Sequence, residues 1–166
     1  PTESCFTVYG KMNYLSYVNI KIGTDSVFTF SNGNTAPLTA LPFASASFMP
    51  ETRTSGDFLY YNPHDRTTTG IRLTHKLSPW ISDHGNITLL PTSGSQVDLT
   101  ESRRSGFRPE NAVLLPEYLK MEFLRYRSSV ELAPSMRGCI ARISWLEESM
   151  PRRIVIDLGK KFSHVE

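Results

Sequence analysis

The sequence predicts an all-β protein, an antiparallel β-sandwich. Three observations carry this expectation. Apolar and polar residues alternate with period two in several short segments. Gly, Pro, Asn and Ser punctuate those segments as turn signals. No segment shows a 3.6-residue apolar period of helix length, so a parallel sheet with crossover helices is excluded. The segments follow in order. Ile71, Leu73 and His75 alternate with Arg72 and Thr74; Leu119, Met121 and Phe123 alternate with Lys120 and Glu122. Cys139, Ala141, Ile143 and Trp145 share one parity against Ile140, Arg142 and Ser144, and Ile154, Ile156 and Leu158 close the series before Gly159. Period two means one buried and one wet face, so each first-named set is expected inside.

The 166 residues, of which 39 % are hydrophobic, suffice for one domain with a real core. We expect a single amino-terminal domain over residues 1–166. The opening at Pro1 rather than methionine suggests a piece of a longer polypeptide, truncated at its carboxyl end. A sheet cut near Glu166 is expected to leave an edge strand or an apolar patch. No basic, apolar leader stands at Pro1, and no apolar run is long enough to cross a bilayer, so no membrane partner is expected. The formal net charge of +2 is too small for a nucleic-acid partner; Arg103–Arg104 and Arg152–Arg153 read as solvated surface. Cys5 and Cys139 form neither a disulfide framework nor a metal motif, and Cys139 reads as a buried free thiol.

Several chemistries lack their motifs. There is no Gly-x-Ser-x-Gly elbow, no His-Glu-x-x-His, no Cys-x-x-Cys, no Walker loop and no Gly-x-Gly-x-x-Gly. Carboxylates are scattered, and spacing singles out no catalytic pair. Attention falls on three loops. The connection from Thr74 to Gly85 holds Trp80, His75, His84, Asp83 and Ser78 in one short span between strand candidates. An indole offers a flat apolar face to a sugar and an N–H to a hydroxyl, and Asp83 can accept from paired hydroxyls. Plainer readings stand beside these. Trp80 can plug the end of the sandwich, His75 can be a buried, hydrogen-bonded structural residue, and Asp83 can form a turn. In the loop Ser31–Pro37, Gly33 suits close backbone approach and Asn34 a polar contact, or the loop is a tight connection. Arg53 can fork onto hydroxyls or pair with an acid.

These loops together resemble glycoside hydrolase family 92, a family of exo-acting α-mannosidases. Tyr17-Val18-Asn19-Ile20-Lys21-Ile22-Gly23-Thr24 is similar to the family's Y-V-x-P-F-I-G-T, with Ile20-Lys21 in place of Pro-Phe. Gly33-Asn34-Thr35, Pro37 and Leu41-Pro42-Phe43 resemble G-N-T-x-P … x-P-F-G, and Pro50-Glu51-Thr52-Arg53 resembles P-D-T-R. Thr74 to Gly85 is similar to T-H-x-x-S-P-W-x-x-D-Y-G with His84 for Tyr, and Leu89-Leu90-Pro91 to L-M-P. Glu110-Asn111 with Pro116-Glu117-Tyr118 looks like E-x-A-x-P-x-Y-Y, and Glu131-Leu132 with Arg137 like E-L-T-x-x-x-R. The pieces fall in order from Tyr17 to about Arg137.

The resemblance implies the amino-terminal β-sandwich of a Ca²⁺-dependent, inverting α-mannosidase with a preference for α-1,2 linkages. It implies a larger helical-barrel domain that supplies the acid, the base and most calcium ligands, so no catalytic and no metal-ligating residue is expected in this chain, which alone is expected to be inactive. It implies that Trp80 lines the subsite of the leaving sugar. Asn34, Arg53, His75 and Asp83 are then expected on the sandwich surface facing the barrel. Partners implied are mannose-containing glycans and the chain's own helical-barrel domain. Two other readings are kept: a stand-alone carbohydrate-binding module, and a purely structural interaction domain.

Overall fold

The computed structural model describes residues 14–25, 35–54, 60–75, 87–95 and 101–158. Among these residues all regular structure is β apart from short 3₁₀ turns. The strands are β1 (Ser47–Glu51), β2 (Thr67–Thr68), β3 (Gly70–Thr74), β4 (Ile87–Ser93), β5 (Ser105–Gly106), β6 (Val113–Leu114), β7 (Leu119–Phe123), β8 (Ser128–Pro134), β9 (Cys139–Trp145) and β10 (Arg152–Asp157). One sheet has the order β1-β3-β4-β10 and the other β6-β7-β8-β9, with β2 and β5 as a separate two-stranded ladder. Every pairing is antiparallel.

The second sheet follows the sequence pattern. Leu119, Met121 and Phe123 are fully buried, and Leu119 and Met121 lie opposite Leu132 and Val130. Across the next pairing Ile143 registers with Val130 and Trp145 with Ser128. Leu119, Met121, Phe123, Val130, Leu132 and Ile143 pack with Phe48, Ile71, Leu90, Phe107 and Tyr126 in one core cluster. Each fully buried large side chain contributes about 1.5–3 kcal/mol. The sheets are also stitched by polar bonds. The Trp145 indole N–H donates to the Thr92 carbonyl (3.1 Å), and the Ser128 hydroxyl to the Pro91 carbonyl (3.0 Å).

Several expectations are corrected. Arg72 and Thr74, expected on the wet face of β3, are buried at 6 % and 2 % exposure. Their face is covered by a polar layer that includes Glu51, Thr68 and Thr69, so period two separated the faces but did not say that both are inside. His75 is exposed, because β3 ends at Thr74 and the alternation does not carry one residue further. Cys139 is exposed rather than a buried thiol, and Ala141 beside it is exposed too. Both lie on β9, the edge strand of its sheet.

In β10 the buried parity is the opposite one. Val155 registers with Leu90 and packs on the core, while Ile154, Ile156 and Leu158 are about half exposed at 49 %, 60 % and 47 %. Among the described residues β10 stands at one edge of its sheet, and Ile154 and Ile156 on it are exposed. The basic clusters are corrected in part. Arg103 is buried and paired with Asp157 at the end of β10. Arg104 donates to the carbonyls of Thr52 and Thr67, so both pin loops rather than face solvent.

Candidate functional site

Strand β1 runs antiparallel to β3, with Ser47 opposite Thr74 and Glu51 opposite Gly70. The pair therefore has two ends, and the candidate residues divide between them.

At the Glu51 end, β1 closes on a buried ionic knot. One Glu51 carboxylate oxygen accepts from the Thr69 hydroxyl (2.6 Å). The other accepts from Arg72 Nη1 (2.6 Å) and the Thr88 hydroxyl (3.2 Å). The Arg72 guanidinium in turn lies 3.8 Å from the centroid of the Tyr60 ring. Charges this deep persist only when paired and hydrogen-bonded, and both conditions are met. Gly70 makes the close approach possible. Its φ is +142°, and a Cβ there would sit against the Leu89 carbonyl oxygen and 2.9 Å from Thr88 Cγ2.

This knot carries Thr52 and Arg53 outward. The Tyr60 carbonyl accepts both of their backbone N–H groups, at 2.9 and 3.2 Å. Arg53 then forks onto Asp65, Nε to one oxygen at 2.9 Å and Nη2 to the other at 3.3 Å, while the Thr52 hydroxyl donates to the same carboxylate at 2.7 Å. Burial works to raise the Asp65 pKa, but the hydrogen bonds from Arg53 and Thr52 and the charges of Arg53 and Arg104 outweigh it and hold it below the usual range. Of the two readings of Arg53, the pairing with an acid is the one present. Beside it His64 Nε2 meets an Asp25 carboxylate oxygen at 3.1 Å, tying Asp25 to this end of the sheet. Thr35 is tied there as well, its N–H donating to the Gly23 carbonyl at 3.1 Å.

At the Thr74 end stands His75. Its Nδ1 lies 2.7 Å from the Ser45 carbonyl oxygen. A carbonyl only accepts, so Nδ1 carries the hydrogen, and in the neutral form of the ring Nε2 is left as an acceptor. Ser45 is itself held by the Met136 carbonyl, through its N–H (2.9 Å) and its hydroxyl (3.2 Å). Ile87, which opens β4, lies opposite Leu73 at this same end. Arg53 and His75 flank opposite ends of the β1–β3 pair, separated by roughly 20 Å of strand, so one sugar ring does not touch both. Trp80, Asp83 and Asn34 lie outside the described residues. The described residues that flank the first two, His75 and Ile87, belong to the Thr74 end. Thr35, next to Asn34, belongs to the Glu51 end.

The sequence reading missed Glu51 as an organising residue and Asp65 as the partner of Arg53. A strand-end acid followed by Thr-Arg gave a signal, but their partners lie 21 and 12 residues further along the chain. Two of the recognised motifs meet across β7 and β8: the Tyr118 hydroxyl donates to Glu131 at 2.6 Å. That hydrogen bond raises the Tyr118 pKa and lowers that of Glu131. Most described carboxylates are thus engaged in structural bonds. Among the described residues, no three His, Cys, Asp or Glu side chains converge to hold a metal ion.

Together these features define a β-sandwich domain that presents polar loops at both ends of one sheet and has most of its described acids committed to the fold. The chain belongs to the glycosyl hydrolase family 92 N-terminal domain family, whose profile matches residues 17–166. Comparison with curated proteins gives no match. Among solved structures, the chain is similar to the family GH92 inverting mannosidase BT2199 from Bacteroides thetaiotaomicron VPI-5482. The TM-score is 0.79 at 28 % identity, over 89 % of this chain and 20 % of that one. The family GH92 α-mannosidase BT3965 from Bacteroides thetaiotaomicron shares the fold at a TM-score of 0.74 and 24 % identity, again over 89 % and 20 %. The GH92 family glycosyl hydrolase ccman5 does so at 0.66 and 18 %, over 88 % and 20 %. The chain thus spans about one fifth of the length of the proteins it matches.

Proposed function

We propose that this chain is the amino-terminal, substrate-contacting domain of a calcium-dependent, inverting exo-α-mannosidase acting on α-1,2-linked terminal mannose. The observation that carries the reading is the family match over residues 17–166, together with the likeness to an inverting mannosidase. Inversion needs an acid and a base about 6.5–9.5 Å apart with room for a water between them. Several described acids of this chain are engaged in the fold instead: Glu51 is buried on Arg72, Asp65 is clamped by Arg53 and Asp157 is paired with Arg103. The catalytic carboxylates are therefore assigned to polypeptide beyond this chain, in a helical-barrel domain that is also its docking partner.

Calcium takes six to eight oxygen ligands, and the described residues do not converge on such a set. These described residues do not fit the ion, and its donors are proposed to come mainly from the helical-barrel domain. What this chain contributes is positioning. The His75 end offers an acceptor of fixed tautomer beside the connection that bears Trp80 and Asp83, and these residues with Asn34 are proposed to line the substrate path. The clamped Arg53 is proposed to hold its loop for that surface.

A panel of α-1,2-, α-1,3- and α-1,6-mannobiose, incubated with the gene product at its natural length, tests this reading. Mannose release from the α-1,2 isomer, abolished by chelator and restored by added Ca²⁺, is the expected result. Release that ignores chelator removes the calcium, and equal rates on all three isomers remove the linkage preference.

A further inference from the structure

Three non-glycine residues among those described have positive φ: Phe43 (62°), Tyr60 (58°) and Arg127 (46°). Such a conformation is costly for a bulky side chain and persists only when the surroundings enforce it. Two of the three are explained inside the molecule. Tyr60 stacks on Arg72 and offers its carbonyl to Thr52 and Arg53. Arg127 is the left-handed cap of the 3₁₀ turn Leu124–Tyr126.

Phe43 has no such account. The Ala44 N–H donates to the Leu41 carbonyl (3.1 Å), so Leu41 to Ala44 is a β-turn with Pro42 at its second position and Phe43 at its third. Proline fixes a negative φ at the second position and no peptide here is cis, so the positive φ at the third makes the turn type II. That position favours glycine or asparagine. Here it carries an aromatic ring that is 99 % exposed. The turn does not yield to relieve this, because Ser45 is tied twice to the Met136 carbonyl and once to His75. The fold thus holds a strained backbone whose visible effect is to project one flat apolar ring into solvent.

We propose that Phe43 is a sugar-contacting residue, its ring face stacking on the C–H face of a mannosyl unit at the His75 end of the sandwich. This rests on the mannosidase reading above and adds to it a residue and a subsite. A pyranose combines an apolar C–H face with hydroxyl donors. Phe43 supplies the flat surface, and His75 Nε2, linked to the turn through Ser45, supplies an acceptor for a hydroxyl. Neither group needs reorganisation, since the turn and the tautomer are already set.

The test compares wild type, Phe43→Gly and Phe43→Trp in the gene product at its natural length, reading kcat/KM on mannobiose and the melting temperature of each. Glycine relieves the strained φ, so the melting temperature of Phe43→Gly is expected to hold or rise, while kcat/KM falls roughly tenfold or more. Phe43→Trp, which keeps a flat ring, is expected to retain most of the activity. Unchanged kcat/KM in Phe43→Gly overturns the proposal. So does a loss of activity accompanied by a fall in melting temperature, which makes the ring a packing residue against other polypeptide. If wild type itself releases no mannose, the mannosidase reading fails, and this proposal with it.

Discussion

Glu51 and Arg72 are the sharpest place to perturb the fold. Their side chains are 5 % and 7 % exposed and meet at 2.6 Å, so solvent screens the pair little. Glu51→Gln keeps the shape but removes the carboxylate charge that faces the guanidinium. Arg72→Met fills a similar volume but strands the carboxylate. Removing one partner of a buried pair typically costs about 3–5 kcal/mol. Against a total stability of about 5–15 kcal/mol, either change brings the domain close to unfolding. With a urea slope of about 2 kcal/mol/M, a loss of about 3 kcal/mol moves the midpoint down by about 1.5 M. Glu51→Gln/Arg72→Met carries neither charge. Its cost is expected to fall short of the sum of the singles by about 2 kcal/mol, the coupling that a double-mutant cycle reads. Urea unfolding of the four proteins, followed by tryptophan fluorescence, measures all of this. Singles that each cost under about 1 kcal/mol, or a strictly additive double, would refute the reasoning.

Three further outcomes follow from other parts of the fold. Gly70→Ala is expected to cost about 3 kcal/mol or more, since a Cβ at φ +142° meets the Leu89 carbonyl; a melting curve like wild type's would contradict that packing. Asp65 has a folded pKa below its unfolded one, so its contribution is full above about pH 4 and is lost as pH falls through the lower folded value. Asp65→Asn should therefore be less stable than wild type at about pH 7, and the gap should narrow as pH falls through the folded value, in urea titrations run over a series of pH values. Tyr118 has the opposite sign: its pKa is raised, so its contribution is present below about pH 10 and is lost as pH rises through the folded value. Ultraviolet titration should show that phenol ionising late, and Glu131→Gln should restore an earlier titration.

The legible parts of the fold were those whose burial is decided locally. In β7, Leu119, Met121 and Phe123 have charged neighbours in the sequence, so alternation identifies both the strand and its inner face. In β10 the intervening Val155 is apolar as well, and the choice of face falls to the register with β4, which no local pattern contains. Arg72 is the clearest failure. An arginine between Ile71 and Leu73 reads as solvated unless Glu51, on another strand, is known to lie against it. Arg103 fails for the same reason, its acid being Asp157, 54 residues away. The candidate loops were legible from their motif residues, but how they group was not. Arg53 and His75 are separated by the antiparallel register of β1 and β3, and the turn whose following residue, Ser45, bonds His75 carries Phe43, a residue noted only as part of a motif.

The central claim is a division of labour: this chain shapes and contacts the substrate, while the catalytic carboxylates come from elsewhere in the polypeptide. Mannose release from α-1,2-mannobiose by the 166-residue chain, run beside the gene product at its natural length, tests it most directly. The account predicts release by the long form and none by this chain at equal molar concentration. Mannose released by the 166-residue chain alone would contradict it, and would place the acid and the base among its own residues.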